Sequence, residues 1–388
     1  MLTEIAMSVP EIIRVAEYNV TGQDYGDRRH FRYTGPPLID IHAHVMRPRN
    51  FDKPDVIVED NVNQARMMLD AAAEFGIART YTMCPVEDIP LLRDAFGDRL
   101  GFNGVINKKI DEPDEAAYRL LDRYLELGVE LIKFWAAPRG RERGLFVDAP
   151  WRIEAARRAR AAGIRIIMVH VADPDVWFEK VYADTARYGT KAEQYPPLCR
   201  MMEMFPDLIW IAAHMGGDPE HPDHLQELLE HYPNLYFDTS AAKWQIREVS
   251  ARRDAIRALI CRYPTRFLYG SDLVTRPGLE REHYVSRYWC QRTLWESDWE
   301  GPSPIQDPDF TPPSSASSGV EQAWRSTPML RGLALPPEVL VQVYRTNALR
   351  LLRLTSDAYR VQADSQEPLD KTSFPFVGEG GGEECKCK

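Results

Sequence analysis

The sequence predicts an α/β protein, a parallel (β/α)8 TIM barrel, and three observations carry that prediction. Short apolar segments alternate with helical patterns from residue 38 to residue 272, the rhythm of a parallel sheet. Glycine closes the helices: "NVNQARMMLDAAAEFG" ends at Gly76, "DEAAYRLLDRYLELG" at Gly128 and "APWRIEAARRARAAG" at Gly163, and glycine is the usual C-terminal stop. No GxGxxG follows the first strand, which leaves an open doubly wound sheet as the runner-up.

The strands expected are Leu38–His42, Arg79–Met83, Gly101–Ile106, Glu130–Trp135, Arg165–Val171, Leu208–His214, Leu235–Thr239 and Phe267–Asp272. Residues 1–36 read as an N-terminal extension, 37–356 as the barrel and 357–388 as a disordered tail rich in glycine and glutamate. Within the barrel, residues 273–335 break the rhythm with a stretch rich in Trp, Pro and Ser. A loop of that length after the last strand reads as a lid-like insertion over the catalytic face. Its aromatic run, 288–299, is either a lid or a homo-oligomer contact. A helix from Pro337 to Arg353 is expected to close the barrel wall.

The chain has 388 residues and a net charge of -10, which argues against a nucleic-acid partner. No apolar run is long enough to span a membrane. The N-terminal stretch carries Glu4 and Glu11 and no continuous apolar core, so it does not read as a signal peptide. Cys84, Cys199, Cys261 and Cys290 show no disulfide spacing, and reduced thiols in a cytoplasm are expected. Cys385 and Cys387 flank Lys386 in the tail, where disorder outweighs a metal-binding reading.

"IDIHAH", residues 39–44, holds the chemistry. Asp40, His42 and His44 alternate, so on a regular strand they share one face. Burying three such groups is unfavourable by several kcal/mol unless they are paired or bound. Other strands are interrupted alike. Leu131 and Lys133 are expected to point inward, away from Ile132 and Phe134. Ile166, Met168 and His170 share a face, as do Trp210, Ala212 and His214, and Leu268, Gly270 and Asp272. Taken singly, an HxH can be hydrogen-bonded core, an Asp an N-cap and a Lys a snorkelling side chain. Together these strand ends converge on one barrel mouth. Imidazole and carboxylate suit a borderline divalent metal, with Asp40 below orienting a ligand histidine.

HxH after strand one, Lys133, His170, His214 and Asp272 resemble the amidohydrolase superfamily over residues 36–356. "IDIHAH", "AAHMGG", "LYGSD" and "VYRTNALRLL" look most like its branch containing aminocarboxymuconate semialdehyde decarboxylase and related metal-dependent hydrolases. That resemblance implies one metal, zinc by preference, on His42, His44, His170 and Asp272. His214 and Asp272 would be the catalytic acid/base groups. "ELIKFW" also looks like the strand-four lysine of phosphotriesterase-type members, in which case a carboxylated Lys133 and His214 would hold a second metal. One ion is expected rather than two.

Arg47 and Arg49 are candidates to grip a substrate carboxylate, and Trp135 and Arg139 to line the pocket. His221 and His224, beyond a Gly-Gly turn, read as loop or helix-start residues rather than ligands. The function expected is a metal-dependent hydrolase using an activated water on a small, carboxylated organic substrate. Non-oxidative decarboxylation is the alternative. A non-catalytic ligand-binding barrel comes third, because a binding module has no need of the full donor set.

Overall fold

In the computed structural model, residues 17–46, 58–276, 278–310 and 327–353 are described. Nine parallel strands form one curled sheet: β1 (Leu38–Val45), β2 (Ile77–Met83), β3 (Leu100–Val105), β4 (Leu131–Trp135), β5 (Ile166–His170), β6 (Ile209–Ala212), β7 (Leu235–Asp238), β8 (Phe267–Leu268) and β9 (Leu273–Thr275). Their order is β8-β7-β6-β5-β4-β3-β2-β1-β9. From β1 to β8, neighbours in sequence are neighbours in space, with helices between them, as a parallel sheet requires.

β8 and β9 are separated only by Tyr269–Asp272. β8 pairs with β7, whereas β9 pairs with β1. In the gap, the Ile41 N–H donates to the Tyr269 carbonyl at 3.1 Å and the Asp272 N–H to the His42 carbonyl at 2.7 Å. The two ends of the sheet are thus joined through one short stretch of chain, a TIM-like arrangement.

Two apolar layers hold it. Ile132, Phe134, Ile167, Val169, Trp210 and Phe237 belong to the outer one, under the helices. Ile41, Leu131, Ile166, Met168, Ile209 and Leu268 fill the inner one. The C-terminal helix begins at Pro337, passes through a π turn at Gln342–Thr346 and runs on to Arg353. Its Ala348, Leu351 and Leu352 join the inner cluster.

The 273–335 stretch departs from the lid-like expectation where it is described. Arg281–Glu296 is a helix buried at every position from Tyr284 to Glu296. Trp289 and Trp295 are 0% exposed, so these aromatics of the 288–299 run are core rather than a lid or an oligomer contact. The reason is that the N-terminal segment covers the helix: the Trp289 indole donates to the Asp27 carbonyl at 3.0 Å, and His30 Nε2 lies 2.8 Å from the Thr293 hydroxyl. On another side, the Tyr284 hydroxyl donates to Gln64 at 3.0 Å, on the helix Val58–Glu74. A helix covered all round has no polar stripe to betray it. An antiparallel pair follows, β10 (Glu300–Pro302) with β11 (Met329–Arg331). Residues 311–326 and the tail 357–388 lie outside the described residues. Among the described residues no helix is long and apolar enough to cross a membrane, and the four described cysteines are free.

Candidate metal centre

β1 is not a regular strand. Asp40 pairs with Thr80 of β2 and Ala43 with Thr82, so three steps on β1 match two on β2. That extra residue is a bulge, which re-aims side chains. Ile39 and Ile41 pack in the inner layer, whereas Ala43 and Val45 pack in the outer one. His42 and His44 both face the site, but Asp40 does not lie beneath them. Its carboxylate accepts from the His42 backbone N–H at 3.0 Å, the Ser271 N–H at 3.0 Å and the Ser271 hydroxyl at 2.6 Å. The expectation that Asp40 orients a ligand histidine is therefore corrected: it ties β1 to the β8–β9 gap. Burial pushes its pKa up to about 7, against those hydrogen bonds.

His214 reaches the site by another break. By alternation it would face outward with Trp210 and Ala212, both in the outer layer, while Ile209, Ile211 and Ala213 face inward. The shared face expected for Trp210, Ala212 and His214 does not exist. The chain instead turns left-handed after Ala213, with φ of 59° at His214, 53° at Met215 and 70° at Gly216. Left-handed backbone costs roughly 1–2 kcal/mol at a non-glycine residue, and such strain concentrates at functional sites. Gly217 continues the run, and a Cβ there would sit 2.0 Å from the Ala172 carbonyl oxygen. Asp272 is also left-handed, at φ 53°, just past the short β8.

These breaks bring the side chains together. Donor atoms of His42, His214 and Asp272 all lie within 4.8 Å of one another. His44 Nε2 is 3.0 Å and His42 Nε2 3.3 Å from Asp272 Oδ1. The His170 ring centroid is 4.7 Å from that of His214. Lys133 points inward as expected, its Nζ 3.0 Å from His42 Nε2 and 3.3 Å from Met168 Sδ.

A residue the sequence reading missed organises this centre. Asp238, at the end of β7, lies 2.7 Å from His42 Nδ1 and accepts the His214 backbone N–H at 2.7 Å. Ser240 donates its hydroxyl to Asp238 and lies 2.7 Å from His214 Nδ1. With both Nδ1 atoms carrying the proton toward Asp238 and Ser240, both Nε2 atoms are left as acceptors, and that of His42 accepts from Lys133 at 3.0 Å. Asp173 holds His170 by the other nitrogen, 2.9 Å from its Nε2, which leaves Nδ1 as the acceptor, and it accepts from the Tyr182 hydroxyl at 2.9 Å. The available signal was "LYFD", another strand ending in a carboxylate. Packing is tight: a Cβ on Gly270 would lie 2.9 Å from His42 Cβ.

The electrostatics follow from burial. Burial would raise Asp238 and Asp272, but the groups beside them win: contacts with His42 and His214 and the Lys133 charge hold Asp238 below the usual carboxylate range, and contacts with His214, His42 and His44 do so for Asp272. Burial pulls His42 and His214 below the ordinary imidazole value. It lowers Lys133 to about 8, with Asp238 and Asp272 opposing. Neutral His42 therefore turns the lone pair that accepts from Lys133 toward a carboxylate oxygen of Asp272 as well. Lys133 is the cation in contact with His42 Nε2, and two imidazoles with a carboxylate are also a donor set that zinc-like ions accept. The donors present thus fit a metal.

The centre opens into a cavity of about 560 Å³, lined by His42, His44, Lys133, His170, His214 and Asp272. Met83, Pro85, Val105, Trp135 and Val274 give it apolar walls, and Asn107 and Arg276 add polar ones. Trp135 is thus a lining residue. Arg139 is not among them and is exposed. Arg47 and Arg49 lie outside the described residues.

A family model described as "Amidohydrolase" matches residues 39–354. The chain belongs to that family. Membership makes it an enzyme, and the donor set fits hydrolase or carboxy-lyase chemistry. Comparison with curated proteins gives no match. Among solved structures, this amidohydrolase is similar to a 2,6-dihydroxybenzoate decarboxylase from Rhizobium, at 15% identity, 82% of this chain, 99% of that one and a TM-score of 0.46. It is similar to an amidohydrolase from Burkholderia multivorans with bound zinc, at 12% identity, 82% and 99% coverage and a TM-score of 0.46. An organophosphorus hydrolase variant from Deinococcus radiodurans follows at 14% identity, 62% and 78% coverage and a TM-score of 0.44. At such values these likenesses carry no argument about reaction or metal.

Proposed function

We propose that the protein is a metal-dependent hydrolase acting on a small, carboxylated organic substrate, with its sheet a closed (β/α)8 barrel whose eighth strand is β8 and β9 together. The observation that carries the reading is the convergence of His42, His44, His170, His214 and Asp272 on one cavity. His42, His44, His170 and Asp272 would form the ligand set, with His214 beside them as an acid/base group; one zinc-like ion is expected. Such an ion supplies Lewis acidity toward a carbonyl or phosphoryl oxygen and lowers the pKa of water to about 7.

The chain's own groups do the rest. Asp272 is ionised and accepts the attacking water's proton. His214, with Nδ1 held by Ser240, keeps Nε2 free to move a proton toward the leaving group. Asp238 holds His42 so that Nε2 faces the cavity. Lys133, as an unmodified ammonium, repels a second cation, which favours one ion. Its carboxylation would instead bring two, and electron density for a bridging carbamate would refute the single-ion reading.

Decarboxylation is the second reading, favoured by the apolar walls, which suit a flat aromatic acid. A panel of carboxylated lactones, esters, amides and aromatic acids, run in oxygen-18 water and in deuterium oxide, separates the two. Hydrolysis puts oxygen-18 into a product. Carbon dioxide release with deuterium on carbon and no oxygen-18 in any product overturns it.

A further inference from the structure

The cavity wall at the ends of β3 and β4 carries a device that no step above uses. Arg152, on the helix Pro150–Ala161, is 0% exposed. Its guanidinium donates to the carbonyls of Leu145 at 2.9 Å, Phe146 at 3.3 Å and Trp135 at 2.8 Å, and to Asn107 Oδ1 at 2.9 Å. All four acceptors are neutral. Among the described residues no carboxylate pairs with it, and a buried charge without a counter-ion is expensive.

The contact with Asn107 fixes that amide. Arginine has donors and no acceptor, so the amide must turn its oxygen to Arg152 and its NH2 group away. Asn107 lines the cavity that holds the histidines. Its Nδ2 protons are therefore the donors that this wall offers a ligand. The positive charge behind the amide polarises them and disfavours a cation in the same place.

We infer that Asn107, oriented by Arg152, binds an anionic group of the carboxylate type on the substrate, while an apolar and preferably flat frame lies along Met83, Val105 and Trp135. The inference rests on reading this cavity as the substrate site. Asn107 is the binding residue; Arg152 is a positioning residue, acting through it.

The test is calorimetric binding to the full-length protein with its metal content measured. The probes are benzoate, a flat carboxylate, and benzamide, its neutral twin. The wild type should prefer benzoate. Asn107→Leu should weaken benzoate about 10-fold, the scale of a hydrogen bond to a charged group, and leave benzamide nearly unchanged. Asn107→Asp should reverse the preference by repulsion. Arg152→Lys keeps the charge and loses the fork, so it should retain part of the preference that Arg152→Met abolishes. Should the Arg152 variants misfold, the Asn107 pair still decides. Unchanged benzoate affinity in Asn107→Leu, or no preference for benzoate in the wild type, overturns the inference. Because the readout is binding, failure to hydrolyse any substrate strikes the functional proposal alone. Unchanged benzoate affinity in Asn107→Leu strikes this inference alone.

Discussion

His42, His214 and Asp272 form one group of described residues with metal-ligating atoms within 4.8 Å of one another; Asp175, Asp218 and His221 form another. By spacing alone they are equivalent. In the second group the charges are already settled. Lys191 Nζ lies 2.7 Å from Asp175, 2.8 Å from Asp218 and 3.4 Å from Glu220. The Asp218 carboxylate also takes His221 Nδ1 and His224 Nδ1, each at 2.6 Å. In the first group the lysine touches a nitrogen and a sulfur, and a histidine lone pair faces a carboxylate oxygen beside an open cavity. The difference teaches that proximity of ligands does not define a metal centre. Acceptor nitrogens and a carboxylate aimed at one point beside a cavity and fixed from behind do.

Substitutions sharpen that comparison, beginning with the largest effect. Asp272→Asn keeps an oxygen ligand and loses the base. Metal should largely remain while turnover falls by roughly 10²–10⁴, the range for a positioned acid/base group. Asp218→Asn should leave turnover near normal; steady-state kinetics with elemental analysis reads both. Next, Asp238→Asn removes the carboxylate that fixes His42, and metal affinity should drop by about 10–100-fold, measured by competition with a chelating dye. Equal affinity would break the argument for fixation from behind.

The smallest effect belongs to the second cluster. Burial raises the Glu220 pKa to about 7, against the pull of Lys191. The folded value exceeds the unfolded one of about 4.3, so the folded state binds more protons between the two. The stability this group contributes is complete below the unfolded value and is lost as pH rises through about 7. Glu220→Gln should therefore flatten the fall in urea midpoint between about pH 5 and 8. An identical profile in the variant would show that Glu220 carries no such linkage.

The alternation of strand and helix was legible because each element obeys its own period and ends in a recognisable stop. The ionisable strand ends were legible too, since a buried imidazole or carboxylate stands out in an apolar run. What alternation could not reveal is how those side chains arrive. His214 enters through a left-handed turn, and His42 and Asp40 part company at a bulge. Asp238 meets His42 across 196 residues of chain, a pairing only the closed sheet creates. The helix Arg281–Glu296 was hidden because burial on all sides erases the amphipathic period.

Elemental analysis of the purified protein, set beside His42→Ala and His221→Ala, decides whether the first group is a metal centre and the second is not. The wild type should carry about one equivalent of a zinc-like metal, most of it lost in His42→Ala, since removing a ligand opens the coordination shell, and all of it kept in His221→Ala. A metal-free wild type with full activity, or metal retained in His42→Ala and lost in His221→Ala, would contradict that assignment.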